Sequence, residues 1–173
     1  MVDPSAAGFS IREIRPDEYD ALGELTVRAY AAAPSEADAG YQGELRDVAR
    51  RARFVPVLVA VADDGRVVGG VAYVPGPDTP YSERQRPDEA GFRMLAVDPA
   101  EGGRGLGRAL SETCIARARA SGRSGVAIYS RPARTVAHRL YLSLGFQRDQ
   151  TRDWEVQPGD WLWSYTLPFE DPA

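Results

Sequence analysis

Phe92-Arg93-Met94-Leu95-Ala96-Val97-Asp98-Pro99-Ala100-Glu101-Gly102-Gly103-Arg104-Gly105-Leu106-Gly107 is the stretch whose reading decides the fold. Its apolar run, Met94 to Val97, stops at Asp98-Pro99. Glycines follow at positions 102, 103, 105 and 107, and Arg108-Ala109-Leu110 opens a long helical pattern. Strand, glycine loop and helix together make a way to hold a phosphate. The glycines let backbone N–H groups approach closely, and the helix N-terminus adds the positive end of its dipole. A glycine loop alone is weak evidence, so its surroundings must decide. A dinucleotide fingerprint fits poorly. Gly103-Arg104-Gly105 and Gly105-Leu106-Gly107 each supply G-x-G, but no third glycine follows in register. The next apolar run, Val126 to Tyr129, lacks the acidic residue that would bind a ribose. A P-loop is excluded, because the chain has no Gly-Lys-Ser/Thr.

Working outward, the segment Leu95-Ala96-Val97-Asp98-Pro99 through Gly103-Arg104-Gly105-Leu106-Gly107-Arg108-Ala109-Leu110 resembles the acetyl-CoA-binding motif of the GNAT superfamily of N-acetyltransferases. Downstream, Ala137-His138-Arg139-Leu140-Tyr141-Leu142-Ser143-Leu144-Gly145-Phe146 is similar to that family's A-x-x-L-Y-x-x-x-G-F segment. Two motifs in the right order are far more specific than either one. The resemblance implies an α/β (α+β) fold. It would be a mixed, mostly antiparallel sheet of about seven strands flanked by about four helices, splayed between the fourth and fifth strands.

Composition agrees with such a domain. The chain has 173 residues, enough for one domain with a real core. Residues 1–8 read as a flexible tail and 9–173 as a single domain. The chain has no run of about 18 apolar residues, so no membrane-spanning helix is expected. The one cysteine, Cys114, forbids an internal disulfide and suits a reducing, cytoplasmic setting. It lies on a helical apolar stripe, as a packed core thiol would. A net charge of −4 argues against bulk nucleic-acid binding. Every basic side chain is arginine, so no lysine nucleophile or Schiff base is available. One histidine, His138, leaves no metal cluster and no histidine triad.

In chain order, Phe9 to Ile14 suits a first strand, and Pro16-Asp17 opens a helix that Pro34-Ser35 breaks. A second helix is expected from about Gln42 to Arg53, with Leu45, Val48 and Ala49 inward and Arg46, Arg50 and Arg53 outward. Val57 to Ala62 and Val67 to Val74 flank a hairpin turn at Asp63-Asp64-Gly65. The proline-laden loop Pro75 to Asp88 is long for a compact domain; it is either a surface insertion or a cover over substrate. Glu89 to Val97 is the central strand, and Gly125 to Tyr129 the next. Thr135 begins a helix that Gly145 stops. Gln147 to Trp154 and Trp161 to Leu167 close the sheet.

The resemblance also implies a chemistry. Leu95, Ala96 and Val97 would pair with the pantetheine arm of acetyl-CoA, with one amide near Val97 facing the thioester carbonyl as an oxyanion donor. Gly102, Gly103, Arg104, Gly105, Leu106, Gly107 and Arg108 would hold the pyrophosphate. The first loop position departs from the family's Gln or Arg, since it is Gly102, and Arg104 and Arg108 could restore the charge. Arg134 stands where the family often has Asn, and is expected to bind cofactor phosphate. Tyr141 is the expected general acid toward the leaving thiolate; a tyrosine near 10 and a thiol near 8.5 leave the transfer uphill by about 1.5 units, roughly 2 kcal/mol. Glu89, at the entry to the central strand, is the expected general base. His138 is expected to reach solvent or the cofactor. Tyr30, Tyr41 and Trp154 are expected to shape the acceptor pocket.

The leading reading is therefore an N-acetyltransferase that moves acetyl from acetyl-CoA to a small-molecule or peptide amine by direct attack through a tetrahedral intermediate, without metal. Family members are often dimers, so a homodimer is one expectation. A non-catalytic acyl-CoA-binding or sensing module on the same fold is the alternative, and a nucleotide-binding domain is a third.

Overall fold

The computed structural model describes residues 8–32 and 39–170. The expected N-terminal tail before Gly8 and the helix break at Pro34-Ser35 lie outside the described residues. The elements run β1 (Phe9–Glu13), α1 (Tyr19–Ala31), α2 (Ala39–Arg46), α3 (Val48–Phe54), β2 (Val57–Ala62), β3 (Val67–Val74), β4 (Glu89–Val97) and α4 (Leu106–Ala120). Then follow β5 (Gly125–Ser130), α5 (Thr135–Ser143), β6 (Gln147–Arg148), β7 (Trp154–Gln157) and β8 (Asp160–Pro168). The strands form an open sheet in the order β1-β2-β3-β4-β5-β8-β6, with β7 paired to β8. All pairings are antiparallel except β4 with β5.

The apolar run Val57–Ala62 is buried throughout, because helices cover both faces of the sheet. Val57, Val59 and Val61 pack with Leu22 and Leu25 of α1. Leu58, Ala60 and Ala62 face Leu106, Leu110, Cys114 and Ala118 of α4. Cys114 is fully buried there, as its place on the helical stripe predicts.

Among the described residues the sheet has eight strands and the chain five α-helices, one more of each than the sequence suggests. The expected helix Gln42 to Arg53 breaks at Asp47, whose side chain caps α3 by accepting from the Arg50 amide at 3.0 Å. Arg46, Arg50 and Arg53 are exposed as expected, whereas Arg51 is buried and its Nη2 donates to the Glu44 and Leu45 carbonyls at 3.1 and 2.8 Å. Those are the orphan carbonyls ending α2, which a cation suits. Ala49, expected inward, is exposed. The expected strand Gln147 to Trp154 is interrupted by a 3-10 turn, Gln150–Arg152, capped by Asp149 accepting from the Thr151 amide at 3.1 Å.

The feature that positions the site is the splay between β4 and β5. These strands pair only at Glu89–Gly125 and Ala90–Val126. At Gly91 the Gln85 side chain enters the gap, its Nε2 donating to the Ala127 carbonyl at 3.1 Å. A Cβ on Gly91 would lie 2.5 Å from that nitrogen and 2.7 Å from the Ala127 oxygen, so the wedge requires glycine. Beyond it the edge of β4 facing β5 has no strand partner among the described residues.

Candidate active site

Opposite the splay, β4 carries a bulge. The β3 partners jump from Gly70–Ala96 to Ala72–Arg93, which leaves one extra residue in β4, and Met94 takes a positive φ of 55°. A left-handed backbone at a methionine is strained, and such strain collects where a strand must be re-aimed. Here it separates two concave surfaces.

On one side lies a groove of about 570 Å³. It is lined by Leu95, Ala96 and Val97 of β4, by the loop Gly102, Gly103, Arg104, Gly105 with Leu106, Gly107 and Arg108, and by Arg134, Ala137 and Leu140 across the gap. Gly103 and Gly105 have φ of 81° and 76°, conformations that side chains resist. Gly105 is the N-cap of α4 and brings no side-chain cap, so the first-turn amides of a 15-residue helix face the groove without an internal partner. The two loop arginines are both engaged. Arg104 pairs with Glu101, and Arg108 donates to Ser143 Oγ at 2.6 Å and lies 3.5 Å from Glu112.

On the other side is a cavity of about 320 Å³. Tyr30, Tyr41, Trp154 and Tyr141 line it, as do Phe92, Arg93, Met94, Arg131, Glu44 and Glu83. Leu95, Arg134 and Ala137 line both cavity and groove, so the two meet across the bulged strand. Tyr141 is buried and packs edge-on against Phe92, with ring centroids 5.9 Å apart. Burial raises its phenol above the ordinary value, and the nearby Arg134 charge opposes that rise. The phenol therefore stays protonated at neutral pH and can donate.

Glu83 is the residue that the sequence did not single out. It sits in the proline-laden loop, its side chain only 10% exposed, with Arg93 Nε at 3.4 Å from Oε1. Burial pushes its carboxyl up to about 7, although Arg93 and Arg131 pull it down. A carboxyl poised near neutrality in a cavity is suited to take a proton. The loop is pinned to the body: Tyr81 is buried, Arg93 Nη1 donates to the Tyr81 carbonyl at 3.3 Å, and Tyr129 Oη donates to the Arg84 carbonyl at 2.9 Å. Within Pro75 to Asp88, Ser82 and Glu83 line the cavity.

Glu89 does not join these groups. It lines neither cavity nor groove, and Arg152 holds both its oxygens at 2.8 and 2.7 Å. The same guanidinium reaches the Tyr129 hydroxyl at 3.1 Å and the Arg84 carbonyl at 3.0 Å. His138 does not reach solvent either. It is buried, 3.1 Å from Ser130 Oγ, with its ring against Trp163 and Tyr165, and burial lowers its pKa. A neutral imidazole there ties α5 to β5 and β8. Trp154 lies under the Arg84 guanidinium, 4.6 Å from the ring centroid.

Comparison with known proteins gives a consistent answer. Residues 13–146 match the Acetyltransferase (GNAT) family. The mycothiol acetyltransferase of Thermobispora bispora is 32% identical over 151 residues, 82% of this chain and 47% of that protein. That of Sanguibacter keddieii is 30% identical over 164 residues, 91% of this chain and 49% of that protein. The chain thus spans about half the length of the curated relatives it matches. Among solved structures, yncA, a putative acetyltransferase from Salmonella typhimurium with its cofactor acetyl-CoA, superposes with a TM-score of 0.68 at 21% identity, covering 96% of both chains.

Proposed function

The chain belongs to the GNAT family of acetyltransferases, and from that we propose that it moves an acetyl group from acetyl-CoA to a primary amine by direct attack. The observation that carries this reading is the meeting of groove and cavity at Leu95, Arg134 and Ala137, with a phenol and a near-neutral carboxyl on the cavity side. The groove fits acetyl-CoA: a glycine loop and an uncapped helix N-terminus suit a pyrophosphate, and an unpaired strand edge suits an amide-bearing arm. Gly103 to Gly107 supply the backbone donors. Leu95, Ala96 and Val97 align the arm, and an amide of this segment stabilises the oxyanion formed as the amine attacks.

The acceptor amine must lose a proton before it attacks. For an amine near 10.4 the neutral form costs about 4.6 kcal/mol at pH 7. Glu83 accepts that proton, directly or through one water, and the Arg93 guanidinium keeps its carboxylate form accessible. As the tetrahedral intermediate collapses, the C–S bond breaks and Tyr141 donates its hydroxyl proton to the leaving sulfur. Burial makes the phenol a poorer acid than in water; the negative sulfur and the Arg134 charge favour the transfer. The name of the curated relatives puts a mycothiol-related amine among the acceptors to assay.

Free-thiol release from acetyl-CoA over a panel of amines tests the reading. Amine-dependent release supports an enzyme. Tight coenzyme A binding with no release for any amine supports the non-catalytic alternative.

A further inference from the structure

One wall of the cavity is a ladder of two tyrosine rings with an arginine on each end. Arg134 lies 3.5 Å above the centroid of Tyr30, Tyr30 stands 6.1 Å from Tyr41, and Arg131 lies 4.9 Å over Tyr41. The two ends of the ladder differ. Arg131 is neutralised by Asp160, whose two oxygens accept at 2.8 and 2.9 Å. The third cavity arginine, Arg93, faces Glu83. Arg134 has no carboxylate within ion-pair distance among the described residues, and its guanidinium has a ring on one face and the cavity at its edge. A planar cation stacked this way keeps its forked N–H edge free, which matches a carboxylate. Glu83 and Glu44 also line the cavity, and their carboxyl oxygens can accept from an amine.

We infer that the acceptor is a small α-amino acid, its carboxylate held by Arg134 and its amine turned toward Glu83. The inference rests on the acetyl-transfer reading above. The α relation follows from where Arg134 sits. It lines the junction of cavity and groove, where the attacking nitrogen must also come, so amine and carboxylate are close neighbours on one small skeleton. The cavity, about 320 Å³, is at the low end for ligand sites and suits a compact acceptor better than a folded protein's tail. Phe92, Met94 and Trp154 leave an apolar surface for the side chain of that amino acid.

The test compares matched acceptors by thiol release: L-leucine, L-leucinamide and isoamylamine, and the same three forms of phenylalanine. The wild-type protein should prefer the free acids by tenfold or more in kcat/KM. Arg134→Gln should collapse that ratio to near one by raising KM for the acids, and Arg134→Lys should restore part of it. Turnover with equal kcat/KM for acid, amide and amine would overturn the inference and leave acetyl transfer standing. So would an Arg134→Gln enzyme that keeps the acid preference while its KM for acetyl-CoA rises, since that arginine would then serve the cosubstrate. If no amine of any class releases thiol, the acetyl-transfer reading fails, and this one falls with it.

Discussion

Arg93 Nε lies 3.4 Å from Glu83 Oε1, and this pair joins the bulged strand to the loop that walls the cavity. Glu83 is drawn two ways: burial favours its neutral form, and Arg93 favours the carboxylate, leaving the pKa near 7. A base must be ionised to act. The value of kcat/KM should therefore rise about tenfold per pH unit below 7 and level off above it. Glu83→Gln should remove that acidic limb and lower the plateau by about 10²–10⁴-fold. Arg93→Gln removes the cation that favours the carboxylate, so its limb should shift to higher pH. The pH–rate profiles of the three proteins check this.

The same pair predicts a stability effect. Glu83 holds its proton more tightly folded than unfolded, with about 7 against a reference of 4.5. The stabilisation from the protonated form is full below 4.5 and is lost as pH rises through 7. Glu83→Gln, which cannot ionise, should lack this loss. Its Tm should exceed that of the wild type at pH 8 and approach it at pH 4.5.

Tyr141→Phe should bind acetyl-CoA as the wild type does and lose about a hundredfold or more in kcat, because the ring still packs on Phe92 while the proton donor is gone. Steady-state KM and kcat with one good acceptor distinguish this from a packing defect, which would lower Tm instead. Unchanged turnover would remove the phenol from the mechanism.

Glu89 should matter for stability rather than for chemistry. Its carboxylate and Arg152 form a two-fold hydrogen-bonded pair with side chains 10% and 12% exposed. Removing one partner of such a pair typically costs about 3–5 kcal/mol. Arg152→Met should lower the urea midpoint accordingly, and Glu89→Gln should lower it too while its acidic limb stays near pH 7. Loss of that limb in Glu89→Gln would restore Glu89 as the base.

Much of the candidate site was legible because it is local. The strand, the glycine loop and the helix that follow one another from Phe92 to Leu110 place their own backbone donors, and Tyr141 lies within a short motif. The break at Asp47 could have been read as well, since Asp followed by a helical run is an N-cap signal. The bulge could not. Met94 adopts a positive φ that no methionine advertises, at the point where the register between β3 and β4 shifts. Glu83 was hidden for a related reason. A glutamate in a proline-rich loop reads as solvated, and its burial depends on the loop folding back over Tyr129 and Arg93. Likewise His138 is buried by partners on β5 and β8, which the spacing within its own helix does not reveal.

Gly105 offers a test of the cosubstrate groove. Its φ of 76° would cost alanine about 1–2 kcal/mol. Relief of that strain would turn the first-turn amides of α4 away from the groove. Gly105→Ala should therefore weaken coenzyme A binding in calorimetry far more than Gly43→Ala, a glycine with an open surrounding and no positive φ.

A crystal structure with coenzyme A reads the central arrangement most directly. The pyrophosphate should lie on the amides from Gly103 to Gly107, the arm should run along Leu95 to Val97, and the sulfur should stop about 3–4 Å from the Tyr141 hydroxyl, facing the cavity that holds Glu83. Density for the molecule outside this groove, or a sulfur on the far side of β4 from Tyr141, would contradict the account.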